Sequence, residues 1–241
     1  MPQRAEQGRA WLVLPTFNEA ANLEAIAVAA LAKLPEAATV LIVDDASPDG
    51  TGEIAERLAA RHDRVRVLHR ERREGLGPAY VAGFRRALAE GAGLVLEMDA
   101  DFSHDPAYLP RLLEASERAD LAIGSRYVPG GGVRDWSPLR RVVSRAGCAY
   151  ARGVLGVGVR DLTGGFKCFR REVLEAIELG SIRSRGYAFQ VEVTYRAIRL
   201  GFRVAEVPIV FRDRRAGSSK MGPAIAFEAA WRVPALRLGP R

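Results

Sequence analysis

Leu94-Val-Leu-Glu-Met-Asp-Ala-Asp-Phe-Ser103 decides how the rest of the chain is read. Its first half is a short apolar run of the kind that forms a buried strand, and its second half carries two carboxylates two residues apart. Side chains at i and i+2 of an extended segment share a face, so Asp99 and Asp101 can converge on one divalent cation. Two hard oxygen donors with coordination positions to spare suit Mg²⁺ or Mn²⁺, which carboxylates hold together with substrate phosphate oxygens. The pair points to a ligand carrying a diphosphate. An Asp-x-Asp after a strand is also an ordinary solvated turn, so the weight of this reading falls on its neighbours.

Those neighbours repeat the same pattern. Trp11 to Pro15 reads as a buried strand followed by an Ala-rich helix, opened by Asn18 to Asn22 and reaching about Leu34. Thr39 to Asp44 is a second strand, ending in the turn Asp45-Ala-Ser-Pro-Asp-Gly50, with Thr51 as the expected N-cap of a helix to about Arg61. Val65 to Leu68 is a third strand, Pro78 to Glu90 a helix, Ala107 to Ser116 another helix, and Leu121 to Gly124 a fifth strand. Strands alternating with helices require right-handed crossovers and a mostly parallel sheet covered on both faces, a Rossmann-like α/β fold. Ligands bind such sheets at the carboxyl ends of the strands. Thr16 to Glu19, Asp44 and Asp45, Asp99 to Ser103, and Ser125 with Arg126 all fall there.

After Arg126 the rhythm changes. Val128 to Val133 reads as a flexible Gly-rich loop, Pro138 to Leu155 as a basic amphipathic helix, and Phe166 to Phe169 as a strand. Glu172 to Ile177 and Tyr187 to Leu200 read as helices, and Val204 to Phe211 as an edge strand that tolerates Pro208. The tail from Met221 to Leu238 is apolar with few charges and is interrupted by Pro234. The expected division is a catalytic unit over residues 1–222 and an apolar, amphipathic tail over 223–241, the C-terminal interfacial helix region.

With 241 residues, 48% hydrophobic and 27% charged, the chain can bury a sizeable core, which argues against wholesale disorder. Lys and Arg outnumber Asp and Glu by 36 to 29, and the net charge of +7 suits nucleic acid, phosphorylated substrates or an anionic membrane surface, among which charge alone does not choose. No interleaved aromatic and basic reading motif appears, so nucleic acid is not an expected partner. Cys148 and Cys168 lack metal-ligand spacing and read as core thiols of a reducing compartment. Met1 to Ala10 lacks the apolar core of a signal peptide, and no apolar run reaches the ~18 residues of a membrane span.

Seven blocks then occur in order: Leu14-Pro-Thr-Phe-Asn-Glu19, Val43-Asp-Asp-Ala-Ser-Pro-Asp-Gly-Thr51, Gly75-Leu-Gly77, Met98-Asp-Ala-Asp-Phe-Ser-His104, Gly124-Ser-Arg-Tyr127, Asp161-Leu-Thr-Gly-Gly-Phe166, and Phe211-x-x-Arg-x-x-Gly-x-Ser-Lys220. Together they resemble the family 2 glycosyltransferases, and among these the polyprenol (dolichol) monophosphate mannose synthases. The resemblance covers almost the whole chain and implies the A-type glycosyltransferase fold. It further implies a metal-dependent, inverting transfer of mannose from GDP-mannose to a polyprenyl phosphate. UDP-glucose as donor and a non-catalytic nucleotide-sugar-binding subunit stay open as alternatives.

Carried over to this chain, the resemblance places Pro15, Phe17, Glu19, Val43 and Asp45 around the nucleoside, with Asp45 at the base edge and Asp44 as a turn-former. Asp99 and Asp101 take the metal and the diphosphate, Ser103 joins the metal shell, and the Ala100 backbone lies against the nucleotide. Arg214 and Lys220 close over the donor phosphates as a lid in which Gly217 supplies flexibility, and Arg126, Arg140 and Ser144 receive the acceptor phosphate. Asp161, Thr163, Gln190 and Glu192 fall near the reaction centre without assigned duties, and Arg141 and Arg145 fall on a solvated face or meet anionic lipid headgroups. His62 and His69 lie outside the blocks, and His104 reads as a residue that orders the metal loop. The expected place is cytoplasmic, peripheral on the cytoplasmic face of a membrane, with an integral-membrane partner subunit an attractive hypothesis.

Overall fold

A computed structural model of the chain describes residues 9–182, 184, 186–213 and 223–238, with backbone alone for Tyr187 and 223–230. Its centre is a seven-stranded sheet of order β3-β2-β1-β4-β7-β5-β8. The strands are β1 (Ala10–Thr16), β2 (Thr39–Asp44), β3 (Val65–His69), β4 (Leu94–Glu97), β5 (Leu121–Ser125), β7 (Lys167–Arg170) and β8 (Val204–Pro208). All neighbouring pairs are parallel except those of β7, which runs antiparallel to both β4 and β5. The carboxyl ends of β1, β2, β4 and β5 therefore share one edge. The reversed β7 brings its amino end, preceded by Asp161 to Phe166, to that same edge.

Strict alternation within apolar strands builds two cores, one on each face. Trp11, Val13, Leu41, Val43, Val95, Leu121, Ile123 and Phe169 point to one side. There they meet Tyr80 and Phe84 of α3 (Leu76–Ala89) and Phe189, Val191 and Val193 of α7 (Gly186–Arg199). Leu12, Leu14, Val40, Ile42, Leu96, Ala122 and Cys168 point to the other side. They meet α1 (Leu23–Leu31), α2 (Thr51–Arg61) and α4 (Leu109–Ser116). A sheet covered on both faces needs no polar face, which is why β1 and β2 show no hydrophobic-polar alternation. Gly83 of α3 lets that helix lie directly on the sheet, because a Cβ there would stand 2.4 Å from Val13 Cγ1.

Helix α5 (Pro138–Leu155) starts and stops where its sequence signals lie. The Ser137 hydroxyl accepts the Arg140 N–H, Pro138 opens the first turn, and Gly156 ends the helix at φ 70°. Helix α6 (Arg171–Ala176) follows β7 directly, and α8 (Pro223–Leu238) contains Pro234 and packs against α5 and α7. Cys148 and Cys168 are buried, free thiols in a helix and a strand. Burial pushes the Cys168 thiol up to about 12.

The structure departs from the sequence expectation at four places. Thr51 is the first residue of α2 and not its N-cap; Gly50, at φ 88°, holds the cap position because the chain turns there through the left-handed region. The stretch 204–211 is not one strand: Pro208 ends β8, an edge strand, and Val210–Phe211 forms β9. Part of the supposed loop 128–133 is strand, since β6 (Gly132–Val133) pairs in parallel with β9. Gly131 is packed so closely that a Cβ would lie 2.5 Å from the Ser125 carbonyl oxygen. Finally, β4 ends at Glu97, so strand period does not carry through Asp99 and Asp101. Among the described residues no helix is long and apolar enough to cross a membrane.

Candidate active site

The loop leaving β4 is held in shape by its own polar groups. Phe102 sits at φ 62°, a left-handed conformation rare for a side chain of that size. The Asp101 carboxylate accepts the Ser103 N–H at 3.0 Å, and the Asp99 N–H is accepted by His104 Nδ1 at 3.1 Å. That bond fixes the neutral tautomer, with the ring proton on Nε2. Burial pushes the His104 pKa down to about 4, while the ring stacks 4.9 Å from Phe166 and stands edge-on to Phe211 at 5.2 Å. His104 orders the loop.

Asp99 is the more open of the two acids, with a side chain 33% exposed, and it accepts the Tyr80 hydroxyl proton at 3.2 Å. Burial first, and the Asp99 charge second, hold the Tyr80 pKa well above its ordinary value, so the phenol remains a donor. Ser103 Oγ is buried with no hydrogen-bond partner among the described residues, the orphaned oxygen expected beside an oxygen-preferring cation. Among those residues no third His, Cys, Asp or Glu joins the acids in a metal-holding group. Two carboxylates and a hydroxyl fit Mg²⁺ or Mn²⁺ completed by ligand phosphates and water.

On the neighbouring strands, two loops are stitched together. The Asn18 N–H donates to Ser47 Oγ, the Glu19 N–H to Thr51 Oγ1, and the Ala20 N–H to the Asp49 carboxylate at 3.1 Å. Burial would raise the Asp49 pKa, but the hydrogen bonds from Thr51 and from the Ala20 N–H outweigh it and leave it below the ordinary value. Pro15 is buried in β1, and Phe17 lies at its end with the Arg73 guanidinium 4.0 Å above the ring. Glu19 accepts the Asn22 amide proton at 2.9 Å, and Ala100 is buried within the loop that leaves β4.

Two expected nucleoside contacts are placed differently. Val43 is fully buried toward α3, so its side chain offers nothing to a ligand. Asp45 accepts Arg70 Nη1 at 2.6 Å and the Gly75 N–H at 2.8 Å, so its carboxylate pins the 70–75 loop instead of facing outward. Asp44 behaves as the expected turn-former: its carboxylate accepts the Ser47 N–H and lies 3.7 Å from His69 Nδ1.

Arg126, Arg140 and Ser144 do come together, around Tyr127 and Trp136. The Arg126 guanidinium lies 5.1 Å from the Tyr127 ring and 5.7 Å from Trp136, Arg140 covers Trp136 at 4.2 Å, and the Tyr127 hydroxyl donates to Ser144 Oγ at 2.7 Å. They are not bare anion ligands. Arg126 is buried and gives Nε and Nη2 to Asp161 at 2.7 and 2.6 Å, and Nη2 also to Thr163 at 2.8 Å. Arg140 donates to Asp213 at 2.9 Å. Both arginines of this expected anion site are paired with acids. Arg214, Gly217 and Lys220 lie outside the described residues.

The model of glycosyl transferase family 2 matches residues 11–178, which hold every element described above from β1 to α6. The chain belongs to that family. It is 50% identical over 227 residues to the polyprenol monophosphomannose synthase of Mycolicibacterium smegmatis, covering 93% of this chain and 85% of the relative. It is 48% identical over 233 residues to the undecaprenyl-phosphate mannosyltransferase of Micrococcus luteus, covering 97% and 96%. Among solved structures, the glucosyl-3-phosphoglycerate synthase of Mycobacterium tuberculosis in complex with Mg²⁺ and UDP superposes with a TM-score of 0.70 at 21% identity. That match covers 98% of this chain and 83% of the other, and it establishes a shared fold.

Within this family member, the sequence reading missed a layer of buried charge directly beneath the loop that leaves β4. Glu97 and Lys167 are both fully buried and lie 3.1 Å apart across the β4–β7 register, and Lys167 also donates to the Gln190 side chain and to its carbonyl oxygen. Burial pushes the Glu97 carboxyl up and the Lys167 ammonium down, each opposed by the charge of the other. The signal was present: a lone acid in Leu-Val-Leu-Glu-Met and a lone base in Phe-Lys-Cys-Phe each demand a buried partner. Tyr80 left no such trace, since a tyrosine among apolar helix residues reads as core.

Proposed function

We propose that this protein transfers mannose from GDP-mannose to the phosphate of a polyprenyl phosphate, with inversion at the anomeric carbon. The observation that carries the proposal is the 50% identity, over 93% of the chain, to a polyprenol monophosphomannose synthase. Asp99 and Asp101 hold Mg²⁺ or Mn²⁺, with Ser103 beside them. The bound cation supplies charge neutralisation for the departing diphosphate.

The chain's own residues supply orientation and charge. Tyr80 holds Asp99 by its hydroxyl, and the buried Glu97–Lys167–Gln190 layer holds the loop from below. A phosphate monoester has its second pKa near ~6 and is a dianion at neutral pH, so the acceptor needs no side-chain base. His104 is unsuited to that task in any case, being buried and neutral with Nδ1 already accepting a proton from Asp99 N–H. Arg126, Arg140 and Ser144 meet the acceptor phosphate, with Asp161 and Asp213 setting how much positive charge they offer. Arg214 and Lys220 close over the donor phosphates, an assignment that rests on the sequence blocks.

A lipid acceptor requires attachment at a membrane, here peripheral and on the cytoplasmic face. Support comes from large apolar side chains left in solvent: Leu139 at 73%, Val142 at 64% and Val143 at 54% on α5, and Trp231 at 71% and Leu238 at 86% on α8. An integral-membrane partner subunit would strengthen that attachment. Flotation of the purified chain with protein-free anionic liposomes checks whether it is needed.

The deciding assay follows radiolabelled sugar from GDP-mannose or UDP-glucose into short- and long-chain polyprenyl phosphates, with Mg²⁺, with Mn²⁺ and with chelator. Lipid-linked mannose formed only from GDP-mannose and only with a divalent ion is expected, and Asp101→Ala abolishes it. Transfer from UDP-glucose instead, or undiminished transfer in chelator, overturns the donor or the metal assignment respectively.

A further inference from the structure

Beside the acceptor-side cluster lies a second, separate cleft of about 340 Å³, lined by Tyr127, Arg145, Cys148, Ala149, Arg152 and Arg160. Its floor is Cys148, whose sulfur sits 3.3 Å from Thr163 Oγ1 and 3.8 Å from the Asp161 carboxylate, so the Arg126–Asp161 pair closes it from behind. Arg126 and Arg140 nearby each have an acid, Asp161 and Asp213, whereas of the cleft's own cations Arg152 is half-buried and Arg145 and Arg160 are exposed. The guanidiniums of Arg145, Arg152 and Arg160 make no ion pair among the described residues. Arg152 Nε is out of reach of solvent and lacks a hydrogen-bond partner there. The nearby Glu206 carboxylate accepts the Ser125 hydroxyl and the N–H groups of Arg160 and Asp161, and makes no ion pair with the three guanidiniums among the described residues.

Three like charges around one cleft repel one another, weakly where Arg145 and Arg160 face solvent, and the buried Arg152 Nε left unmade is costly, so an anion held by these guanidiniums relieves both. Arginine forks match phosphate oxygens in pairs. The volume lies at the lower end of ligand cavities, enough for a phosphate headgroup and small for a nucleotide sugar. Position on α5 indicates what carries the phosphate. Arg145, Cys148, Ala149 and Arg152 follow helical spacing along one face, and the exposed Leu139, Val142, Val143 and Tyr150 form the stripe beside it. An apolar chain on that stripe places its headgroup at the mouth of the cleft.

We propose that this cleft is a phosphate-binding site for a lipid, distinct from the Arg126, Arg140 and Ser144 cluster that meets the acceptor during transfer. The lipid is a prenyl phosphate waiting its turn or an anionic phospholipid of the surrounding membrane. The phosphate chemistry is common to both.

Calorimetric titration of the purified chain, without donor, tests this with three probes: inorganic phosphate, farnesyl phosphate and dihexanoyl phosphatidic acid. At least one lipid phosphate is expected to bind ten times more tightly than inorganic phosphate, and which one does identifies the source. Arg145→Gln/Arg152→Gln weakens that binding about tenfold or more, as does Arg160→Gln on a separate segment, while the charge-matched Arg57→Gln/Arg118→Gln does not. Circular dichroism and Tm confirm that each variant is folded. Farnesyl phosphate also has the Arg126, Arg140 and Ser144 cluster to bind, so the cleft is read as the binding event lost in the cleft variants; equal binding of all three probes, or an unchanged number of bound lipid phosphates in both cleft variants, overturns the proposal. The test is independent of the transferase reading: Asp101→Ala loses transfer and retains phosphate binding, whereas a failed cleft leaves transfer from GDP-mannose intact.

Discussion

Asp161→Asn removes the charge that neutralises Arg126, and the structure sets the size of the effect. Asp161 is fully buried and Arg126 is 5% exposed, and the carboxylate accepts three bonds from that arginine: Nε at 2.7 Å, Nη2 at 2.6 Å and the backbone N–H at 2.9 Å. The amide retains one acceptor and turns an N–H₂ toward a guanidinium that water cannot reach. Breaking one side of a buried pair costs about 3–5 kcal/mol. With a urea slope of about 3 kcal/mol per molar for a chain of this size, the unfolding midpoint falls by roughly 1–1.7 M. Arg126→Met strands the opposite charge and costs a similar amount. The double variant leaves neither charge exposed to the low dielectric, so its loss is smaller than the sum of the two by at least ~2 kcal/mol.

The pH dependence follows from the same pair. Burial raises the Asp161 pKa, but the Arg126 charge and its hydrogen bonds outweigh that and hold it below the ordinary carboxylate value. A depressed folded-state pKa contributes stability that is fully present above the unfolded value of about 4 and lost as pH falls through the folded one. The wild-type chain therefore loses stability below about pH 4 more steeply than Asp161→Asn does. Urea melts at pH 7 and at pH 3 measure both effects. A single-variant loss under about 1 kcal/mol, with strict additivity in the double, would show that the pair is solvated and that the buried geometry has been misjudged.

Tyr80→Phe removes the hydroxyl that holds Asp99, and a partner that orients a metal ligand in this way is worth about tenfold or more in metal affinity; a metal-concentration curve for transfer that does not move would leave Tyr80 with packing alone. Gly83→Ala forces a methyl to within 2.4 Å of Val13 Cγ1 and 3.1 Å of Val43 Cγ2, so thermal unfolding should report a loss of about 1–3 kcal/mol. Lys167→Met leaves Glu97 buried without its cation and costs about 3–5 kcal/mol, most of it recovered in Glu97→Leu/Lys167→Met. If the double variant is as unstable as the single, the pair is held by more than its charges.

The sheet and its ligand-bearing edge were readable because they rest on local rules. Apolar runs five to six residues long, separated by helical spacing, leave little choice but parallel strands with crossovers, and a short strand that ends in acids places them at the sheet rim. The boundaries of α5 follow from Ser137, Pro138 and Gly156. The reversal of β7 was not readable, since a four-residue strand pairs equally well in either direction until its neighbours are known. Likewise Asp45 and Asp44 carry the same chemistry side by side, and only the fold of residues 70–75 shows which one is consumed in holding a loop.

From the order of residues alone came the mostly parallel sheet, the family blocks, and the two acids that follow β4, because backbone period and turn chemistry act over a few neighbours. Which charges face one another is a matter of distances between segments far apart in the chain. Asp161 meets Arg126 across 35 residues and Lys167 reaches Gln190 across 23, and no local pattern records such pairings. The same packing left Arg145, Arg152 and Arg160 around one cleft without an ion pair among the described residues, and buried Arg152 Nε there without a hydrogen-bond partner.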